Sequence, residues 1–303
     1  MRTRALARAL TSLLAVSALT VLVPAATASA ANPTECTVTR ASNTTNLLPG
    51  QRLNPGASLV PTPGKPELVM QPDGNLVVYA IGNPGGPKLA LWHSGTYGNP
   101  GAYALMQDDG NFVVYKKGGG PDKGGALWAT GTYGSRTDRT VQASFIDWGE
   151  LTVTGRSDGN PGWRSGTMNQ HAMICSNAPG RIVPIWEQGN WAQSASVWLV
   201  LQKDNNLVMY RKRDGKAIWS SGTYGAGNPS AGNNGALYME MLSNGDLALR
   251  EYSPNYTIRW HTGTAGSDAY ALLQDDGNLV VYKKGGGPGK GGALWATGTY
   301  NQI

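Results

Sequence analysis

The chain has 303 residues, 40% of them hydrophobic, with 42 Gly, 18 Pro, 10 Trp, 13 Tyr and only 2 Phe. So much glycine and proline, with that aromatic bias, excludes a helical bundle and an α/β enzyme and predicts short strands joined by many tight turns. The formal charge of +6 becomes +3 once Arg2, Arg4 and Arg8 of an N-terminal leader are subtracted, too small a surplus to call for a nucleic-acid partner.

In chain order, the first element is that leader. It has a basic start, an apolar stretch from Leu10 to Val23 and the small-x-small site Ala28-Ser29-Ala30. Residues 1–30 therefore read as a secretory signal peptide, and the mature, extracellular chain is expected to begin at Ala31. No later stretch approaches the roughly 20 apolar residues that a span requires, so no membrane insertion is expected. Cys36 and Cys175 are the only cysteines. In an oxidising compartment they predict a disulfide that closes a loop of about 140 residues, contributing up to about 5 kcal/mol in the chain-entropy model. Two cysteines with the scattered His93, His171 and His261 make no zinc site, and neither metal nor cofactor is expected.

Along the mature chain one tag recurs six times: Trp, any residue, Ser or Thr, Gly, Thr, beginning at Trp92, Trp128, Trp163, Trp219, Trp260 and Trp295. The spacings of 36, 35, 56, 41 and 35 residues imply three units, a junction, and three more units. Residues 102–133 and 269–300 are identical at 29 of 32 positions. Each unit predicts an apolar strand, an Asp-Gly or Asn-Gly turn, an alternating strand, a Gly/Pro-rich loop and a strand ending at the tag. Such a small sheet cannot bury its apolar face alone. Three around one axis can, with the six tag tryptophans packed as core. Met168 to Gln193 breaks the period, so the division is placed there, with domains over 31–175 and 176–303.

Four units carry the pattern Gln-x-Asp-x-Asn-x-Val-x-Tyr before the tag. Its copies are Gln71, Asp73, Asn75, Val77, Tyr79; Gln107, Asp109, Asn111, Val113, Tyr115; Gln202, Asp204, Asn206, Val208, Tyr210; and Gln274, Asp276, Asn278, Val280, Tyr282. The strand period of two carries Asn, Val and Tyr to one side, while Gln and Asp arrive from the incoming arm of the hairpin. An amide, a carboxylate, a second amide, a small apolar patch and a phenol suit a hexopyranose, whose adjacent hydroxyls donate and accept and whose C–H face prefers apolar contact. One Asp per pocket falls short of the carboxylate pair of glycoside hydrolysis, and no Ser/His nucleophile arrangement is present, so no catalytic residue is expected. The third unit has Ile146, Trp148, Glu150, Thr152, Thr154 at these positions and the fifth has Leu242, Asn244, Asp246, Ala248, Arg250. Neither reproduces the hydrogen-bonding set, and no sugar is expected there.

The nine-residue pattern resembles that of the bulb-type, mannose-specific lectins first described from monocot plants. The resemblance covers essentially all of the mature chain. It implies an all-β fold of two tandem β-prism II domains, each of three short antiparallel sheets around a pseudo-threefold axis. It further implies that Gln, Asp, Asn and Tyr bond mannose hydroxyls while Val packs on the ring. The partner implied is a mannose-type glycan on a cell surface or glycoprotein, bound without catalysis, with a homodimer left open. Exchange of C-terminal strands between domains, with Asn169-Gln170 and Asn301-Gln302 as the segments, is a second implication. The tandem form also resembles lectin-like bacteriocins, which kill related bacteria after surface-glycan binding; a structural cell-envelope protein with vestigial pockets is the remaining alternative.

Overall fold

The structure, a computed structural model, describes residues 42–134, 141–154, 161–170, 172–175, 185–230, 232–252 and 256–303. The leader and Cys36 lie outside these residues; Cys175 is disulfide-bonded. Among the described residues the regular structure is antiparallel strand, apart from a 3₁₀ turn at Gly232–Gly235.

Three short strands open the first half: β1 (Thr44–Leu47), β2 (Arg52–Leu53) and β3 (Ser58–Leu59). The first unit follows as β4 (Glu67–Met70), β5 (Leu76–Ile81) and β6 (Lys88–His93). The second is β7 (Tyr103–Met106), β8 (Phe112–Gly120) and β9 (Gly124–Ala129). The third is β10 (Gln142–Ile146), β11 (Leu151–Thr154) and β12 (Pro161–Arg164). Each unit gains one opening strand, in reverse order: β3 pairs with β4, β2 with β7 and β1 with β10. The result is three four-stranded sheets.

The second half repeats this plan with β13 (Met173–Cys175), β14 (Trp191–Gln193), β15 (Val197–Leu201), β16 (Leu207–Arg211) and β17 (Ala217–Ser220). Then come β18 (Leu237–Met241), β19 (Leu247–Glu251), β20 (Ile258–His261), β21 (Tyr270–Leu273), β22 (Leu279–Gly287) and β23 (Gly291–Ala296). Here β14 completes the sheet of β15–β17 and β13 that of β21–β23. A single bridge from Trp186 to Met239 stands where β18–β20 would take its fourth strand. The chain is thus all-β, two tandem prisms of three sheets each. Because β13 bonds to β21, the sheets divide between Arg164 and Met173, ahead of the Cys175/Asn176 division drawn from sequence.

Alternation along the strands explains the cores. In β5, Leu76, Val78 and Ala80 are wholly buried, and in β8 Phe112 and Val114 are. The tag tryptophans meet as expected at each axis. Trp92, Trp128 and Trp163 lie edge to face with centroids 5.2, 5.5 and 5.3 Å apart, and Trp219, Trp260 and Trp295 form the second triangle at 5.7, 6.1 and 5.7 Å. Such pairs are worth about 0.5–1.5 kcal/mol each beyond burial.

A separate cluster joins the prisms: Ala80, Leu89 and Leu91 of the first pack with Trp191, Trp198, Val200 and Tyr210 of the second. Nearby, Trp191 Nε1 donates to the carbonyl of Thr167 at 2.7 Å and Asn190 Nδ2 to that of Gly166 at 3.1 Å. The Gly166 carbonyl would stand 2.6 Å from a Cβ at Gly189, so only glycine fits there. Strand exchange, the second implication of the resemblance, is not what forms. Asn169 makes one isolated bridge to Trp191, Gln302 lies in no strand, and the fourth strands come from each prism's own opening segment.

Candidate functional site

In every unit the turn between the first two long strands needs one residue with positive φ. Gly74, Gly110, Gly149, Gly245 and Gly277 supply it in five units, and Asn205 (φ 74) in the fourth. Glycine at 74 answers a second demand, since a Cβ would sit 2.2 Å from the carbonyl oxygen of Asn99. The motif Asp closes this turn. Asp73, Asp109, Asp204 and Asp276 accept, through Oδ1, the backbone N–H of the motif Asn at 3.0, 2.9, 2.9 and 3.0 Å. One carboxylate oxygen is used locally, and the other remains for a ligand.

The structure brings the residues of each of the four motif copies together. In each, the Gln Nε2 donates to the Tyr hydroxyl: Gln71 to Tyr79 at 2.9 Å, Gln107 to Tyr115 at 3.0 Å, Gln202 to Tyr210 at 2.8 Å and Gln274 to Tyr282 at 2.8 Å. The hydroxyl is thereby oriented as an acceptor from Gln, and its own proton can be given outward. Burial raises the Tyr115 and Tyr210 phenols above the ordinary value, opposed by the Gln hydrogen bond, so both stay protonated and able to donate at neutral pH. Val77, Val113, Val208 and Val280 lie beneath, 2%, 2%, 4% and 3% exposed.

The motif Asn is anchored through its side-chain oxygen. Asn75 Oδ1 accepts from the Ser94 hydroxyl at 3.3 Å and the Thr96 N–H at 3.1 Å. Asn111 accepts from Thr130 and Gly131, Asn206 from Ser221 and Thr223, and Asn278 from Thr297, Gly298 and Thr299. With its oxygen held by the tag, the Asn has its amide hydrogens as the groups it can present outward. The tag thus has a polar half that the sequence reading missed. Its final Thr is buried in all six units and donates to the turn carbonyl at 2.5–2.7 Å. The signal was present, since Ser/Thr-Gly-Thr recurs as faithfully as Trp.

Clefts adjoin two of these pockets. One, of about 420 Å³, is lined by Leu105, Gln107, Asp109 and Pro121. The other, of about 390 Å³, places Gln202, Asp204 and Val200 of the second prism opposite Leu91 and His93 of β6, so the first prism walls the fourth unit's pocket. Burial lowers the Lys203 ammonium, on the second prism's side of this cleft, below the usual lysine value.

The two divergent units differ from each other. In the fifth, acid and amide have changed places: Asn244 Oδ1 caps the N–H of Asp246 at 3.1 Å, and Asp246 Oδ1 holds Thr262 at 2.9 Å and the Thr264 N–H at 3.2 Å. The scaffold survives, yet Leu242 and Arg250 replace Gln and Tyr, and Arg250 Nη1 donates to Glu240 Oε1 at 2.5 Å. In the third, Glu150 occupies the Asn position and is 4% exposed; burial raises its carboxyl above the ordinary value, Arg164 opposes this and Glu187 adds to it. Its tag is the one covered by Asn190 and Trp191, so this unit serves the junction. Among the described residues, no group of three or more His, Cys, Asp or Glu could hold a metal ion.

No family model matches the chain. Mannose-specific lectin 2 of Colocasia esculenta is 29% identical over 107 residues, 35% of this chain; the match spans 33% of that relative. Among solved structures, a monomeric monocot mannose-binding lectin from Gastrodia elata is 25% identical over 42% of this chain and 96% of its own, with a TM-score of 0.32. Snowdrop (Galanthus nivalis) agglutinin complexed with methyl-α-D-mannoside is 26% identical over 42% and 95%, with a TM-score of 0.29. The two-domain fetuin-binding agglutinin of Scilla campanulata is 22% identical over 82% and 95%, also at 0.29. With four copies of the motif on prisms of three sheets, the family to which this chain is similar is that of the bulb-type, mannose-specific lectins.

Proposed function

We propose that the protein is an exported, non-catalytic lectin that holds mannose-type sugars in four pockets. The observation that carries this is the repetition of one polar arrangement four times. In each copy a Gln-oriented phenol, an Asp with one uncommitted oxygen and an Asn amide surround a Val floor. Adjacent sugar hydroxyls need donors and acceptors at fixed spacing, and this set supplies both without an ion. The Colocasia relative is a mannose-specific lectin, which points to the same sugar class. Pockets this shallow are each expected to bind on the order of millimolar, about 4 kcal/mol, so strength comes from several acting on one glycan surface.

The test uses Asp73, Asp109, Asp204 and Asp276, all changed to Asn. The fifth unit already caps its turn with Asn244, so the fold tolerates the change while each pocket loses its carboxylate. On a glycan array the parent should mark mannose-type glycans and the variant should lose at least tenfold in signal with an unchanged melting temperature. Equal signals from the two proteins would overturn the proposal.

A further inference from the structure

In four units the tag is followed by tyrosine: Tyr97, Tyr133, Tyr224 and Tyr300. These are the four units with an intact motif. The two divergent units have Met168 and Ala265 at the same place. The four tyrosines are 67%, 68%, 76% and 54% exposed, the most exposed large hydrophobic side chains described. One exposed aromatic ring needs no explanation, but four that come and go with a pocket do. The scaffold does not require them, because Thr167 and Thr264 are buried and bonded like the other tag threonines without a following Tyr.

Their placement is fixed from both sides. The Thr before each Tyr donates its hydroxyl to the turn carbonyl beside the motif Asn. The chain just after it bonds the motif Asp itself in three units: Asn99 N–H to the Asp73 carbonyl at 2.9 Å, Gly134 to Asp109 at 3.1 Å and Gly225 to Asp204 at 2.8 Å. The tyrosine is thus tethered at the Asp end of its own unit's pocket, with its ring in solvent. In the sixth unit Ile303 lies against Gly277 of the same turn.

Resting on the function proposed above, we infer that Tyr97, Tyr133, Tyr224 and Tyr300 form a second subsite that stacks on the hexose next to the one the motif holds. An aromatic face suits the C–H face of a pyranose, and each of these exposed rings is carried by a backbone tethered to its own unit's motif turn. The pocket would then prefer a disaccharide to the free sugar.

Calorimetry with free mannose and with mannose disaccharides of each linkage tests this on the full protein. The parent should bind at least one disaccharide more tightly than mannose. Changing all four tyrosines to Ala should leave mannose within about twofold and weaken that disaccharide by about three- to tenfold, the range for one aromatic contact. Tyr→Phe at the four positions should keep the preference. A Tyr→Ala protein that retains the disaccharide preference, or a parent without one, overturns the inference while leaving the motif pockets standing. A parent that binds neither sugar overturns the function and the inference together.

Discussion

The fifth and sixth units set scaffold against surface. Asn278 Oδ1 in the sixth and Asp246 Oδ1 in the fifth hold the same two points of the tag, a Thr hydroxyl and a backbone N–H. Trp260 and Trp295 then pack in one triangle at 5.7 Å. Above this shared base the sixth unit keeps the Gln274–Tyr282 hydrogen bond, whereas the fifth has an Arg250–Glu240 ion pair. What holds a unit in the prism is therefore separable from what it shows to solvent, and four of six units show the same face.

The hardest blow to that comparison is at the tryptophans. Trp260→Ala and Trp295→Ala should each lower unfolding free energy by about 3–5 kcal/mol in denaturant titrations, and by like amounts. A cost confined to Trp295 would break the equivalence of the two bases. Next come the anchoring oxygens. Asn278→Ala and Asp246→Ala should each cost about 1–3 kcal/mol, because both strand buried donors of the tag. Calorimetric stoichiometry should then fall from four sites to three for Asn278→Ala and stay at four for Asp246→Ala. Loss of sugar on changing Asp246 would show that the fifth surface is not spent.

The smallest effect lies in the third unit. Its Glu150 carboxyl is raised above 4.5 by burial, so the folded chain keeps that proton to higher pH than the unfolded chain. This contribution is most favourable below pH 4.5 and is lost as pH rises through the folded value. Glu150→Gln should therefore unfold at higher urea than the parent at pH 7, and the two midpoints should converge below pH 4.5. A difference that does not shrink on acidification would mean that Glu150 acts through a contact rather than through its charge.

Much of this was legible in the residues. Six tag tryptophans, four of their five spacings between 35 and 41 residues, announced the units, and a period of two placed Leu76 and Val78 opposite Val77. The pockets could be read because Gln71 and Tyr79 lie on one hairpin and meet locally. What could not be read are contacts between distant segments. The Ser94 and Thr96 bonds to Asn75 run across strands about twenty residues apart, and strands of two residues such as β2 and β3 carry no periodicity. Nothing around Met173–Cys175 announces Tyr270–Leu272 as its partner. The third unit's service at the junction was likewise hidden, since the covering Asn190 and Trp191 belong to the other prism.

The reversed pairing of the opening strands nests one closure inside another. The innermost joins Ser58 to Val69, the next Leu53 to Ala104, and the outermost Leu47 to Ala143. Each wider ring costs more chain entropy to close, and pairings so distant slow folding. The first prism can be sealed only after its third unit has been made, so β1, synthesised before every strand it shares a sheet with, is the last of the three opening strands to find its partner.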